Sequence, residues 1–338
     1  MRIHCLSKRS IFIFGIFASA ILLAGISWAV KEKDKESLLR SIEFMEKISV
    51  PIPKQSKNIQ IWIPLPPNDS YQQAEILNVE SPYPYRITKD RDFGNQLLYI
   101  ESKSSDKDQN LNIKVLYKIV RYEQRILNRR SNSELLNRQA PLLVSSYLKS
   151  RGLETINDKI KRISEEITRG REDPLQKAKS IYAYVLRTMQ YDKSGTGWGR
   201  GDSVYACDVG KGNCTDFHSL FITLARASQI PARFQMGIPL PESSEGEPSG
   251  SYHCWAEFYI DGKGWIPVDI SEAWKNPKKA EYFFGNLDAN RILLTTGREI
   301  LLSPRQKGDA LNYLSKPYIE LDGEPLNDFK LERRFKNI

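Results

Sequence analysis

Four cysteines and three histidines are the chain's whole stock of thiol nucleophiles and near-neutral bases. One of them, Cys214, stands in GNCTDFHSLF, two residues after a glycine. Asn213 is a good helix N-cap, and Asp216, three residues on, supplies a capping-box partner. Cys214 is then the first residue of a helix expected over about 214–229, with an apolar stripe of Phe217, Leu220, Phe221, Leu224 and Ala225. Unpaired amides and the positive dipole end of a helix favour thiolate at such a place. The same amides can hold an oxyanion. On this helix alone, a buried cysteine packed as a small hydrophobe fits at least as well.

The histidines change the balance. His4 precedes a long apolar run and is set aside. His218 is one turn on from Cys214 and on the same face, so a hydrogen bond to the thiol is conceivable, although a packed core histidine is the commoner case. His253 lies in SYHCWAEFYI, whose alternation puts Tyr252, Cys254, Ala256 and Phe258 on one face and His253, Trp255 and Glu257 on the other. Downstream, GKGWIPVDI ends a short strand at Asp269, a carboxylate able to accept from an imidazole and fix its tautomer. Cysteine on a helix, histidine on a strand and carboxylate on the next strand form the order of an acyl-transfer triad.

Four segments in this order resemble the transglutaminase-like superfamily, a branch of the papain-like thiol enzymes. They are Gly212-Asn213-Cys214, Gln229-Ile230-Pro231-Ala232-Arg233, His253-Cys254-Trp255-Ala256-Glu257 and Gly262-Lys263-Gly264-Trp265-Ile266-Pro267-Val268-Asp269. The match covers about residues 170–290. It implies Cys214 as nucleophile, His253 as general base and acid, and Asp269 as the group that orients the ring. It also implies a peptide or protein substrate and no cofactor or metal. Three residues depart from the family pattern: Gln229 replaces a glycine, His218 stands where a small residue is common, and Cys254 directly follows the histidine. Trp198, upstream in the glycine-rich loop, is a candidate for the tryptophan that assists the oxyanion in animal transglutaminases. The expected activity is thiol-dependent acyl transfer, hydrolysis (protease or amidase) ahead of cross-linking. The competing expectation is a catalytically silent binding or assembly module of the cell envelope, which predicts a degraded triad.

Other uses for the same residues are weaker. Cys207, Cys214, His253 and Cys254 do not have usual zinc-site spacing. A Cys207–Cys254 disulfide would leave Cys214 free. Arg200-Gly201-Asp202 spells an adhesion tripeptide inside a glycine loop, and Asn213-Cys214-Thr215 is a glycosylation sequon at a packed helix start; neither predicts function.

These residues must be held by elements the rest of the chain supplies. Residues 11–30 carry no charge and, at 1.5 Å per residue, are long enough to cross a hydrocarbon core of about 30 Å. Arg2, Lys8 and Arg9 precede that run, so residues 31–338 are expected outside the cytoplasm. An uncleaved anchor is favoured over a signal peptide, although Ser27-Trp28-Ala29 suits a peptidase. The net charge of +9 is spread along the 338 residues, which excludes a nucleic-acid surface as the expectation. Residues 31–57 read as a helical or linker segment, with Leu38, Leu39, Ile42, Met45 and Ile48 at helical spacing. Residues 58–122 read as a small β-sandwich and 123–150 as a linker. Residues 151–303 form the expected core: helices at 155–168 and 174–190, a long loop at 192–213, the cysteine helix, then strands at 232–238, 252–260 and 264–269. A flexible turn is expected at 239–251. Residues 304–338 are a C-terminal extension able to complete a sheet. The fold class expected is α+β: a papain-like core behind a β-sandwich and a membrane helix.

Overall fold

A computed structural model describes residues 39–103, 109–127 and 144–338. The membrane segment expected at 11–30 lies outside these residues, as do 128–143 of the expected linker. Among the described residues no helix is long and apolar enough to cross a membrane. Contacts divide the chain into Met1–Leu39 and Arg40–Ile338, and the second unit holds the fold described here.

Among the described residues, three sheets of four or more strands form its frame. In the first, β1 (Leu39–Ile52), β3 (Gln72–Glu80) and β6 (Gln109–Tyr122) are joined by β12 (Lys330–Asn337) in the order β12-β1-β6-β3. In the second, β2 (Asn58–Pro64), β4 (Tyr85–Lys89) and β5 (Gln96–Lys103) are joined by β11 (Tyr318–Leu321) in the order β11-β2-β5-β4. The third contains β7 (Ala232–Pro239), β8 (His253–Ile260), β9 (Gly264–Val268) and β10 (Arg291–Thr296) in the order β9-β8-β7-β10. Ile42, Phe44, Ile48 and Val50 of β1 pack with Ile59, Ile61 and Ile63 of β2, and the same core takes in Ile238, Ile292 and Leu294 of the third sheet. The C-terminal residues thus contribute a strand to each of the first two sheets.

The helical or linker segment expected over 31–57 is instead strand from Leu39 to Ile52. Its buried positions are spaced by two: Arg40, Ile42, Phe44, Glu46, Ile48, Val50 and Ile52. Glu46 is buried in that row and pairs with Arg333 of β12, directly opposite, at 2.8 Å. Tyr117 donates to Glu46 at 3.3 Å. A charge at an inward position broke the visible alternation. The proline-rich SPYPYR stretch leads into the edge strand β4.

Among the described residues the α-helices are α1 (Asp158–Thr168), α2 (Pro174–Thr188), α3 (Ser203–Val209), α4 (Cys214–Ala227) and α5 (Ile270–Lys275), and α2 and α4 pack on the third sheet. Asp173 caps α2 and proline opens it, as its sequence dictates. Helix α3 interrupts the loop expected at 192–213. Helix α4 is buried on every side from Cys214 to Arg226, enclosed by α1, α2, α3 and β8. Its capping box is complete: Asn213 Oδ1 accepts the Thr215 N–H, and Asp216 accepts the Asn213 N–H at 2.9 Å. The same carboxylate accepts the N–H groups of Gly199 at 2.7 Å and Gly201 at 3.0 Å, drawing the glycine loop onto the helix start. A Cβ on Gly212 would collide with the Asp216 side chain, so this close approach requires glycine.

The 239–251 segment is tied down. Arg40 donates to the carbonyls of Pro241 (2.7 Å) and Ser243 (2.5 Å), and Arg333 donates to Ser251 O at 3.0 Å. Glu245 and Gly246 pair with Lys336 and Phe335 of β12. Composition suggested a flexible turn because both arginines lie far away in sequence.

Candidate active site

The N-terminal ends of α4 and β8 meet. Asn213 Nδ2 donates to Tyr252 Oη at 2.9 Å, and Cys254 Sγ lies 3.8 Å from Thr215 Oγ1. This junction brings the His253 ring beside the Cys214 sulfur, close enough for each group to shift the ionisation of the other. His253 Nε2 lies 2.7 Å from Asp269 Oδ2, leaving Nδ1 for the sulfur. Asp269 ends the turn after β9 and caps α5, accepting the Glu272 N–H at 3.1 Å. Ser271 Oγ donates to the same oxygen at 3.2 Å, and Arg291 Nη1 donates to Asp269 Oδ2 at 2.7 Å. Cys214, His253 and Asp269 are all buried, with 3%, 6% and 0% of their surface exposed.

The electrostatics separate the charges. The Cys214 thiol is held well below its usual range by a hydrogen bond from the Cys254 thiol, against the cost of burial, and by the His253 ring. Burial alone would lower the His253 pKa; the Asp269 charge and the Cys214 sulfur outweigh it and push the ring up to about 10. Asp269, despite burial, is held well below the carboxylate range by His253 and Arg291. These directions describe a thiolate beside an imidazolium.

His218 is fully buried. Its Nε2 accepts the Ile270 N–H at 3.1 Å and lies 3.6 Å from Asp269 Oδ1, while Nδ1 faces Cys254 Sγ at 3.6 Å. Desolvation lowers its pKa to about 4, so the neutral ring carries its proton on Nδ1. The unfolded chain binds that proton near pH 6.5, and the folded chain only near 4. Stability from His218 is therefore present above about pH 6.5 and is lost as pH falls toward 4, a change of a few kcal/mol. Urea midpoints at pH 7 and pH 5 are expected to fall less for His218→Phe than for the wild type.

The remaining candidates separate. Trp198 donates its indole N–H to Gly195 O at 3.2 Å within its own loop, and none of its described contacts reaches Cys214, His253 or Asp269. Cys207 sits on α3 beside Lys159. Cys207, Cys214 and Cys254 are free thiols, so the Cys207–Cys254 disulfide is not formed: Cys254 faces α4 instead. Three motif residues hold the strands together. Glu257 accepts from Arg233 directly across the sheet at 2.7 Å and from Gln235 at 2.6 Å, and Arg233 lies 4.1 Å above the Trp265 ring. Sequence reasoning did not single out Arg291, although an arginine opening the apolar strand RILLTT needs an anion; it has the buried Asp269 and the half-buried Asp288.

A cleft of about 250 Å³ opens beside His253. Pro239, Leu240, Glu242 and Ser249 form one wall, and Glu272 and Asn276 form the other.

The transglutaminase-like superfamily core matches residues 161–270. An uncharacterised protein of Haemophilus influenzae is 30% identical over 322 residues, spanning 85% of this chain and 87% of its own length. A crystal structure described as that of a candidate cysteine protease from Cytophaga hutchinsonii aligns with a TM-score of 0.57 at 16% identity, over 87% of this chain and 90% of that one; this likeness is one of fold. The chain belongs to the transglutaminase-like superfamily.

Proposed function

We propose that the protein is a cysteine-dependent acyl-transfer enzyme that hydrolyses peptide or protein amides, with Cys214, His253 and Asp269 as its triad. The observation that carries this reading is the His253 ring held by Asp269 Oδ2, 2.7 Å from Nε2, with the Cys214 sulfur close enough to the ring for each to shift the other's ionisation. A silent module would have no use for a buried thiolate, imidazolium and carboxylate in that order.

The Cys214 thiolate attacks the amide carbon, and the carbonyl oxygen becomes an oxyanion beside the Cys214 N–H, since the N–H groups of Thr215, Asp216 and Phe217 already donate to Asn213. Collapse breaks the C–N bond, and the His253 Nδ1 proton passes to the leaving amine. His253, now neutral, takes a proton from water as its oxygen attacks the thioester. Release of the carboxylic acid returns the thiolate and the imidazolium. Asp269 holds Nε2–H throughout and keeps Nδ1 on the sulfur side. The tethered 239–251 segment, a wall of the cleft, reads the substrate chain.

Residues 31–338 act outside the cytoplasm in this proposal, which rests on the uncharged run 11–30 behind Arg2, Lys8 and Arg9. An alkaline phosphatase fused after Ile338 should be active in intact cells. Product analysis tests the chemistry. In ¹⁸O-water with a fluorescent primary amine present, new carboxyl termini should carry the label and little amine should be incorporated. Amine incorporation ahead of water would assign cross-linking.

A further inference from the structure

Acyl transfer through Cys214, His253 and Asp269 leaves one buried nucleophile unused. Cys254 follows His253 by a single residue, and its side chain meets the first turn of α4. Its Sγ lies 3.8 Å from Thr215 Oγ1 and 3.6 Å from His218 Nδ1, between the residues one and four past Cys214. Those two contacts place the Cys254 sulfur over the turn of α4 that carries the Cys214 sulfur, and each thiol perturbs the ionisation of the other. Cys254 has 0% of its surface exposed, so no outside thiol reaches it directly. Cys207, on α3, is the other described cysteine and has no such contact with Cys214 among the described residues.

We propose that Cys254 is a resolving thiol: when a peroxide oxidises Cys214, Cys254 captures it as an intramolecular Cys214–Cys254 disulfide, which silences the nucleophile and spares it from irreversible oxidation until a thiol reductant restores it. The proposal rests on Cys214 being the reactive thiolate of the acyl-transfer site. The chemistry balances. The Cys214 thiolate attacks one peroxide oxygen, the O–O bond breaks, and hydroxide leaves, giving a sulfenic acid. The Cys254 sulfur then attacks the Cys214 sulfur, an S–S bond forms, the S–O bond breaks, and the Cys254 proton leaves with the hydroxyl as water. The peroxide is reduced and two thiols are oxidised. A dithiol reverses the bond by exchange. The two sulfurs differ as these steps require. Cys214 is held toward thiolate, whereas burial and the neighbouring Cys214 keep Cys254 protonated. Peroxide therefore meets Cys214 first.

The test uses the reduced full-length protein, hydrogen peroxide in several-fold molar excess because sulfinic acid consumes two equivalents per thiol, blocking with N-ethylmaleimide, and mass spectrometry of a digest. The expected product is the Cys214 peptide joined to the Cys254 peptide and released by dithiothreitol. Iodoacetamide labelling of Cys214 should fall at least about tenfold with peroxide and return with dithiothreitol. In Cys254→Ala the same treatment should drive Cys214 to sulfinic acid, and labelling should not return; Cys254→Ser gives the same comparison if the alanine variant does not fold. Cys207→Ala should behave as the wild type. The proposal is overturned if wild-type Cys214 stays a free thiol, becomes sulfinic acid as readily as in Cys254→Ala, or joins Cys207 or a second chain. The linkage is read by mass, so it stands or falls whether or not any amide is cleaved. A missing linkage with amide hydrolysis intact would remove this proposal alone.

Discussion

Cys214→Ala should lower amide hydrolysis by about 10⁵-fold or more, because loss of a nucleophile removes the covalent path and leaves only binding and polarisation. Folding should survive. The substitution deletes one sulfur from the end of α4, while the capping box, the glycine loop on Asp216 and the His253–Asp269 pair remain. The thermal midpoint should stay within a few degrees of the wild type, which separates loss of chemistry from loss of structure. Activity within tenfold of the wild type would assign the nucleophile elsewhere.

Asp269→Asn should cost about 10³-fold or more in kcat/KM. All the groups that hydrogen-bond Asp269 are donors: His253 Nε2–H and Arg291 on Oδ2, Ser271 Oγ and the Glu272 N–H on Oδ1. An asparagine must turn its own NH₂ toward one of these sets. Facing His253, it forces the ring proton onto Nδ1 in the neutral tautomer and withdraws the charge that keeps the ring cationic. Facing α5, it loses the cap. Arg291 keeps only Asp288, so stability should fall by about 3–5 kcal/mol, as when one partner leaves a buried ion pair. Urea midpoints and pH–rate profiles measure the two effects. In the wild type, Asp269 contributes stability above the ordinary carboxylate range and loses it only as pH falls through its depressed folded value. An asparagine variant with wild-type turnover would contradict the orienting role.

The parts of this molecule written in local sequence were legible. Asn213 and Asp216 announced the start of α4, Asp173-Pro174 announced α2, and alternation around Phe258 announced β8. What local sequence concealed depends on residues far apart. Glu46 and Arg333 each occupy an inward position that hydrophobic periodicity assigns to an apolar side chain, and each neutralises the other across the sheet. That one buried pair disguised β1 as a helix and left β12 unnoticed. The same holds for Arg40, whose carbonyl partners lie about two hundred positions on. At the site, the thiol, imidazole and carboxylate could be named from motif order. The contacts of His218 with Cys254 and Ile270 could not, because they depend on how α4 crosses the ends of β8 and β9.

The central claim is that Cys214 rests as a thiolate beside a protonated His253. Iodoacetamide at pH 6 measures this directly, since an ordinary thiol of pKa about 8.5 is well under 1% ionised there. Cys214 in the native protein should alkylate about a hundredfold faster than in the denatured chain, and Asp269→Asn should remove most of that advantage. Equal rates in the native and denatured protein at pH 6 would contradict the ion pair and the acyl-transfer reading built on it.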